Sequence, residues 1–163
     1  MPIFPILTIP SPSLRERSRE LRIEEITTPE FQQFLDTLVE TMFVEDGIGI
    51  AAPQVGKNIR AIIVNLKKEG ATAFLNPEII KSSEATAVGE EGCLSVPKKY
   101  GLVRRHKRIT LKALNRHGRT IEMDVSGLFA VVFQHEIDHL DGVLYIDKAI
   151  EVFDITSGKK IAL

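Results

Sequence analysis

A chain of 163 residues and 18.2 kDa, 44% hydrophobic, is long enough to close a core and short enough for one unit, so residues 1–163 are expected to form a single domain. A formal net charge of -1 gives no global attraction to DNA or to an anionic membrane, and no stretch reaches the apolar length of a membrane span. Met1-Pro2-Ile3-Phe4-Pro5 lacks the pattern of a secretion signal, which makes the cytoplasm the expected location, and a monomer is the expected state.

In chain order, Ile6-Leu7-Thr8-Ile9-Pro10 reads as an ordered N-terminal arm, and Ser11-Pro12 can cap a brief helix. Thr28-Pro29 opens a longer helix in which Phe31, Phe34, Leu35, Leu38, Val39 and Met42 share one side. A Phe/Met/Leu stripe at that spacing is core and carries no chemistry. Gly47-Ile48-Gly49-Ile50-Ala51-Ala52-Pro53-Gln54 follows; its alternating glycines suggest extended chain that something approaches closely on its backbone side. A phosphate-binding loop does not fit, because a helix rather than a strand precedes the glycines and no Gly-Lys-Ser/Thr ends them. Gln54, polar among small apolar residues, is either a turn residue or a hydrogen-bond donor in a site.

Residues 59–66 and 73–80 read as strands, the second interrupted by Pro77, and residues 109–115 and 120–125 read as a hairpin around Arg116-His117-Gly118-Arg119. Strands and helices thus mix without a βαβ rhythm, giving an expected α+β fold of antiparallel strands packed around a central helix. Nine of the twenty-one Lys and Arg residues lie between Lys98 and Arg119. Such a run is the wet face of a hairpin more often than an RNA surface, and no aromatics are interleaved for stacking. His106 and His117, in the same stretch, read as surface residues.

Cys93 is the only cysteine, so an intrachain disulfide is excluded and the thiol is a packed small residue, a nucleophile or a metal ligand. His135-Glu136-Ile137-Asp138-His139 decides among these. On a helix, His135 and His139 share a face and can ligate one metal, while Glu136 is placed to reach water rather than to be a third ligand. The apolar run 128–133 before it predicts a buried entry to this helix, which should begin near Asp124 or Ser126-Gly127 and end at Asp141-Gly142. Two histidines already at metal spacing favour Cys93 as a ligand over a Cys-His nucleophile. Residues 143–146 read as a short strand, and the tail from Asp147 as a hairpin or loose end with a turn at Thr156-Ser157-Gly158-Lys159.

Together, Gly47-Ile48-Gly49-Ile50-Ala51-Ala52-Pro53-Gln54, Glu91-Gly92-Cys93-Leu94-Ser95 and His135-Glu136-Ile137-Asp138-His139 resemble the three motifs of the peptide deformylase family, over roughly residues 3–148. The resemblance implies hydrolytic removal of the formyl group from N-formylmethionyl nascent peptides, with expected proximity to the ribosome. It implies a divalent metal on Cys93, His135 and His139, Fe²⁺ in the cell, although Zn²⁺, Co²⁺ or Ni²⁺ would suit the same ligands. Glu136 would carry the proton, and the Leu94 N–H with the Gln54 side chain would receive the oxyanion. Ile48, Gly49 and Gly92 would bind the substrate backbone, and Leu128, Val131 and Val132 would line the methionine pocket. Tyr100 stands where some members carry an arginine. A zinc endopeptidase is the main rival; it needs a later His or Glu ligand, and Glu151 is the only later glutamate. A metal-stabilised RNA-binding module is the other.

Overall fold

The computed structural model describes residues 2–155. Four α-helices, two short 3-10 helices (Pro12–Arg15 and Ala52–Val55) and eight strands follow one another along the described residues. α1 (Ile23–Ile26) leads into α2 (Pro29–Val44), whose first turn is closed by Thr28 Oγ1 accepting from the Phe31 N–H at 3.3 Å. Then come β1 (Gly49–Ala51), β2 (Ala61–Leu66), β3 (Gly70–Ser82), β4 (Thr86–Cys93), β5 (Val96–His106), β6 (Arg108–Leu114) and β7 (Thr120–Ser126). The long helix α3 (Gly127–Leu140) carries the two histidines, and α4 (Tyr145–Lys148) and β8 (Glu151–Asp154) complete the described chain.

The strands form two sheets, ordered β1-β2-β3-β6-β7 and β4-β5-β8, and every ladder is antiparallel. Side-chain alternation on β2 explains the layering. Ile62 and Val64 face one side with Val132, Phe133 and Ile137 of α3, whereas Ala61 and Ile63 face the other with Leu35, Leu38 and Met42 of α2. Phe74 of β3 meets Phe133 edge-to-face, with centroids 4.8 Å apart. The three-stranded sheet closes over another side of α3, where Cys93, Val96 and Val103 pack with Leu144 and Tyr145. α3 is therefore the element shared by both sheets, as expected of the central helix. No helix among the described residues is long and apolar enough to cross a membrane.

Several local expectations change. Residues 143–146 do not form a strand: Leu144 N–H donates to Asp147 Oδ2 at 2.9 Å, and the chain turns into α4. The tail is neither hairpin nor loose end as far as Asp154, because β8 adds to β5 with Phe153 stacked on Tyr100 at 5.1 Å. The expected turn at 156–159 lies outside the described residues. α3 does start at Gly127 and end before Gly142, whose φ of 74° and close approach to the Arg15 backbone leave no room for a side chain. Its entry is not fully buried, since Leu128 is 50% exposed and Val131 half-buried.

Candidate metal centre and active site

Sequence-distant residues converge on α3. A two-residue turn, Leu94-Ser95, joins β4 to β5 and sets Cys93 opposite Val96 at the strand end. The thiol thereby faces His139, with Cys93 Sγ 3.3 Å from His139 Nε2. His135 lies one turn earlier, its ring 5.1 Å from that of His139 and tilted by 73°. The donor atoms of Cys93, His135 and His139 all lie within 4.8 Å of one another, and all three residues are buried.

Whether these residues suit a cation is decided by their hydrogen bonds. His135 Nδ1 is 2.8 Å from Glu91 Oε1, and a carboxylate partner fixes the proton on Nδ1 and leaves the Nε2 lone pair bare. That Nε2 is buried with no hydrogen-bond partner among the described residues. Burial, then the neighbouring His135 and Arg105, push the pKa of His139 well below its ordinary value, which keeps it the neutral imidazole a metal needs. Burial, helped by the Glu136 charge, pushes the Cys93 thiol up to about 12, and a cation among these donors would invert that preference. One thiolate and two imidazoles fit a borderline-soft divalent metal.

Glu91 is the anchor of this half of the site. Burial alone would raise its pKa, but Arg105 and then His135 outweigh it and hold the carboxyl at about 2. Arg105 grips it through two bonds of 2.9 Å and turns a third nitrogen to Asp138 at 2.6 Å, while Lys148 reaches Asp138 at 3.0 Å. The ring of Tyr145 stacks on His135 at 6.1 Å. Neither Arg105 nor Asp138 was singled out from sequence. Arg105 is hidden in the basic run yet is only 4% exposed, and its partners are 14 and 33 residues away; His106 and His117 of the same run are exposed, as expected.

Glu136 is treated differently. It is fully buried on the side of α3 facing β1, and neither carboxylate oxygen has a partner among the described residues. Burial and then the Glu91 charge, opposed by Arg105, raise its pKa well above the usual carboxylate range. Gln54 follows β1 in a short 3-10 turn, Ala52–Val55. Its Oε1 accepts from Ala51 N–H at 2.9 Å, which directs Nε2 toward Ser95 Oγ at 3.2 Å and Cys93 Sγ at 3.6 Å. The N-terminal arm holds both pieces: Leu7 N–H donates to the Gln54 carbonyl at 2.8 Å and Ile9 N–H to the Ser95 carbonyl at 2.9 Å.

Among the described residues β1 and β4 are edge strands of their respective sheets, each paired on one side only. Ile48 and Gly49 lie on or beside the first edge, and Gly92 on the second, just before Cys93. Val132 is buried beside Gly49 and Glu136, while Val131 and Leu128 sit at the more open N-terminal turns of the helix. Glu151, the ligand an endopeptidase would require, is instead exposed on β8 in register with Leu102.

Comparison with known proteins agrees with this geometry. The family described as polypeptide deformylase matches residues 3–153. The peptide deformylase of Mesorhizobium japonicum is 44% identical over 151 residues, covering 90% of this chain and 84% of that protein. The crystal structure of the Thermotoga maritima peptide deformylase superposes with a TM-score of 0.86 at 38% identity, covering 93% of this chain and all of that one. A Met-Ala-Ser-bound class I type b peptide deformylase from Acinetobacter baumannii gives a TM-score of 0.85 at 33% identity, covering 90% and 98%. With its three motifs gathered around one Cys-His-His centre, the chain belongs to the peptide deformylase family.

Proposed function

We propose that this chain removes the formyl group from N-formylmethionyl peptides as they leave the ribosome, acting as a monomeric, single-domain enzyme in the cytoplasm with Fe²⁺ as its metal. The observation that carries the reading is the pairing of a converged Cys93, His135 and His139 donor set with a buried Glu136 carboxylate, on the same helix as the histidines, that has no hydrogen-bond partner among the described residues. Cys93, His135 and His139 would hold the cation, which when bound supplies Lewis acidity toward the formyl oxygen and makes water nucleophilic near neutral pH.

Each remaining step belongs to the chain. Glu136, its proton affinity raised by burial, takes a proton from water as the water oxygen adds to the formyl carbon. Gln54 Nε2, oriented by the Ala51 bond, and the Leu94 N–H in the β4–β5 turn donate to the oxygen on which negative charge develops. Glu136 then delivers its proton to the departing nitrogen as the C–N bond breaks, leaving formate and a free amine. An extended peptide would add to the edges of β1 and β4 through Ile48, Gly49 and Gly92. Leu128, Val131 and Val132 offer the apolar wall for methionine, and the half-exposed entry of α3 gives that wall access from outside. The Met-Ala-Ser peptide in the Acinetobacter baumannii structure supports a chain beginning with methionine as the occupant.

The test is to incubate anaerobically prepared, Fe²⁺- or Co²⁺-loaded protein with a formyl-Met tripeptide and with its unformylated counterpart. Formate from the first, with the second untouched, is the expected result. Internal cleavage of either peptide would indicate an endopeptidase, and no product from a fully loaded protein would contradict the proposal.

A further inference from the structure

No group among the described residues hydrogen-bonds the buried Glu136 carboxylate, so the residues it packs against help set where it acts. One wall is Gly49. A Cβ at Gly49 would stand 2.8 Å from Glu136 Oε1, closer than a methyl group tolerates, and 3.0 Å from both Glu136 Cγ and Val132 Cγ1, so tight that a neighbour must yield by a few tenths of an ångström. The backbone gives no other reason for glycine. Gly49 lies in β1, in regular antiparallel register with Val64, and its φ is outside the left-handed region. Its neighbours Ile50 and Ala51 continue the same strand with side chains. What position 49 supplies is a vacant volume in the strand surface, filled by the Glu136 side chain.

We propose that Gly49 is a positioning residue for Glu136, its missing side chain forming the seat against which the carboxylate rests. The inference deepens the reading of Glu136 as proton carrier and rests on it. It is separable from any role of the Gly49 backbone in holding substrate, because alanine keeps the same N–H and C=O. In Gly49→Ala the new methyl meets two neighbours. Val132 is fully buried in the core shared with the five-stranded sheet, so the freer end of Glu136 moves. A displacement of about 1 Å in a proton-transferring group costs on the order of a hundredfold in rate.

Two measurements test this. In steady-state assays of metal-loaded Gly49→Ala, kcat should fall by about a hundredfold while KM stays within about threefold and metal content is unchanged. A raised KM with kcat preserved would overturn the proposal in favour of substrate approach alone. The second measurement needs no turnover: the melting temperatures of the metal-free wild type, Gly49→Ala, Glu136→Ala and the double variant form a cycle. Gly49→Ala should lower Tm by about 5 °C when Glu136 is present and by less than about 2 °C when position 136 is alanine. Folding of the double variant where Gly49→Ala alone fails to fold would support the seat equally. An equal penalty in both backgrounds, or failure of both variants to fold, would overturn it. A wild type that released no formate would remove the reading of Glu136 as proton carrier and leave the thermal cycle to report on the contact itself.

Discussion

His135 and Glu136 of α3 are adjacent in sequence, but the fold holds them by opposite means. On the side facing the three-stranded sheet, His135 is fastened through Glu91 to Arg105, and Arg105 to Asp138. On the side facing β1, Glu136 has no hydrogen-bond partner among the described residues and rests against Gly49 and Val132. A ligand must keep one orientation and one protonation state, which at His135 the Glu91 carboxylate enforces. A proton carrier must change protonation state within each cycle, and a strong permanent partner would oppose that change. One helix thus serves two needs because its two sides meet two different sheets.

Substitutions on the two sides should therefore fail differently. The largest effect is expected for Cys93→Ala, which removes a ligand outright: elemental analysis should find little bound metal, and formate release should vanish with it. Unchanged occupancy would show that Cys93 is not a ligand. Glu136→Ala should keep the metal and lose about a thousandfold in kcat, because the ligands remain while the proposed proton carrier goes. Smaller again, Glu91→Gln should weaken metal binding by about 10- to 100-fold, since His135 loses the carboxylate that fixes its tautomer. Competition with a chromophoric chelator would measure that shift, and unaltered affinity would separate Glu91 from the metal half.

A control from outside both halves is predicted to be smallest. Asp147 is raised by burial, but Arg15 at 2.5 Å and the Leu144 N–H overcome this and hold its pKa below the ordinary 3.8. A group that binds protons less readily when folded stabilises the fold above its ordinary pKa and loses that contribution as pH falls through the depressed value. The pair is well over a third exposed, so the loss below pH 3.8 should stay under about 1 kcal/mol. Urea titrations of wild type and Asp147→Asn at pH 6 and pH 3 would show it, the variant lacking that portion of the acid dependence.

The same contrast explains what could be read from sequence. His135, Glu136 and His139 were legible because four-residue spacing on a helix is a local property, as were the Thr28-Pro29 start of α2 and the β6–β7 hairpin. The anchoring network was not. Glu91 meets His135 across 44 residues, and Arg105 carries no mark that separates it from the exposed bases beside it. The β4–β5 pairing was equally hidden, because residues 87–90 lie exposed on an edge strand and show no apolar alternation. Val143-Leu144-Tyr145-Ile146 misled because a short apolar run does not distinguish strand from helix, and the Asp147 carboxylate that closes the turn acts only once the chain has folded. The alternating glycines at 47 and 49 mark a place of close approach in the sequence, and the structure puts Glu136 of the same chain against Gly49.

Formate release per bound metal, compared between Glu136→Ala and Glu91→Gln, tests the division of labour most directly. The account predicts a Glu136→Ala protein with one metal per chain and about a thousandfold lower turnover per metal, against a metal-poor Glu91→Gln whose remaining metal turns over at near wild-type rate. Wild-type turnover per metal in Glu136→Ala, or a fully loaded but inactive Glu91→Gln, would contradict it.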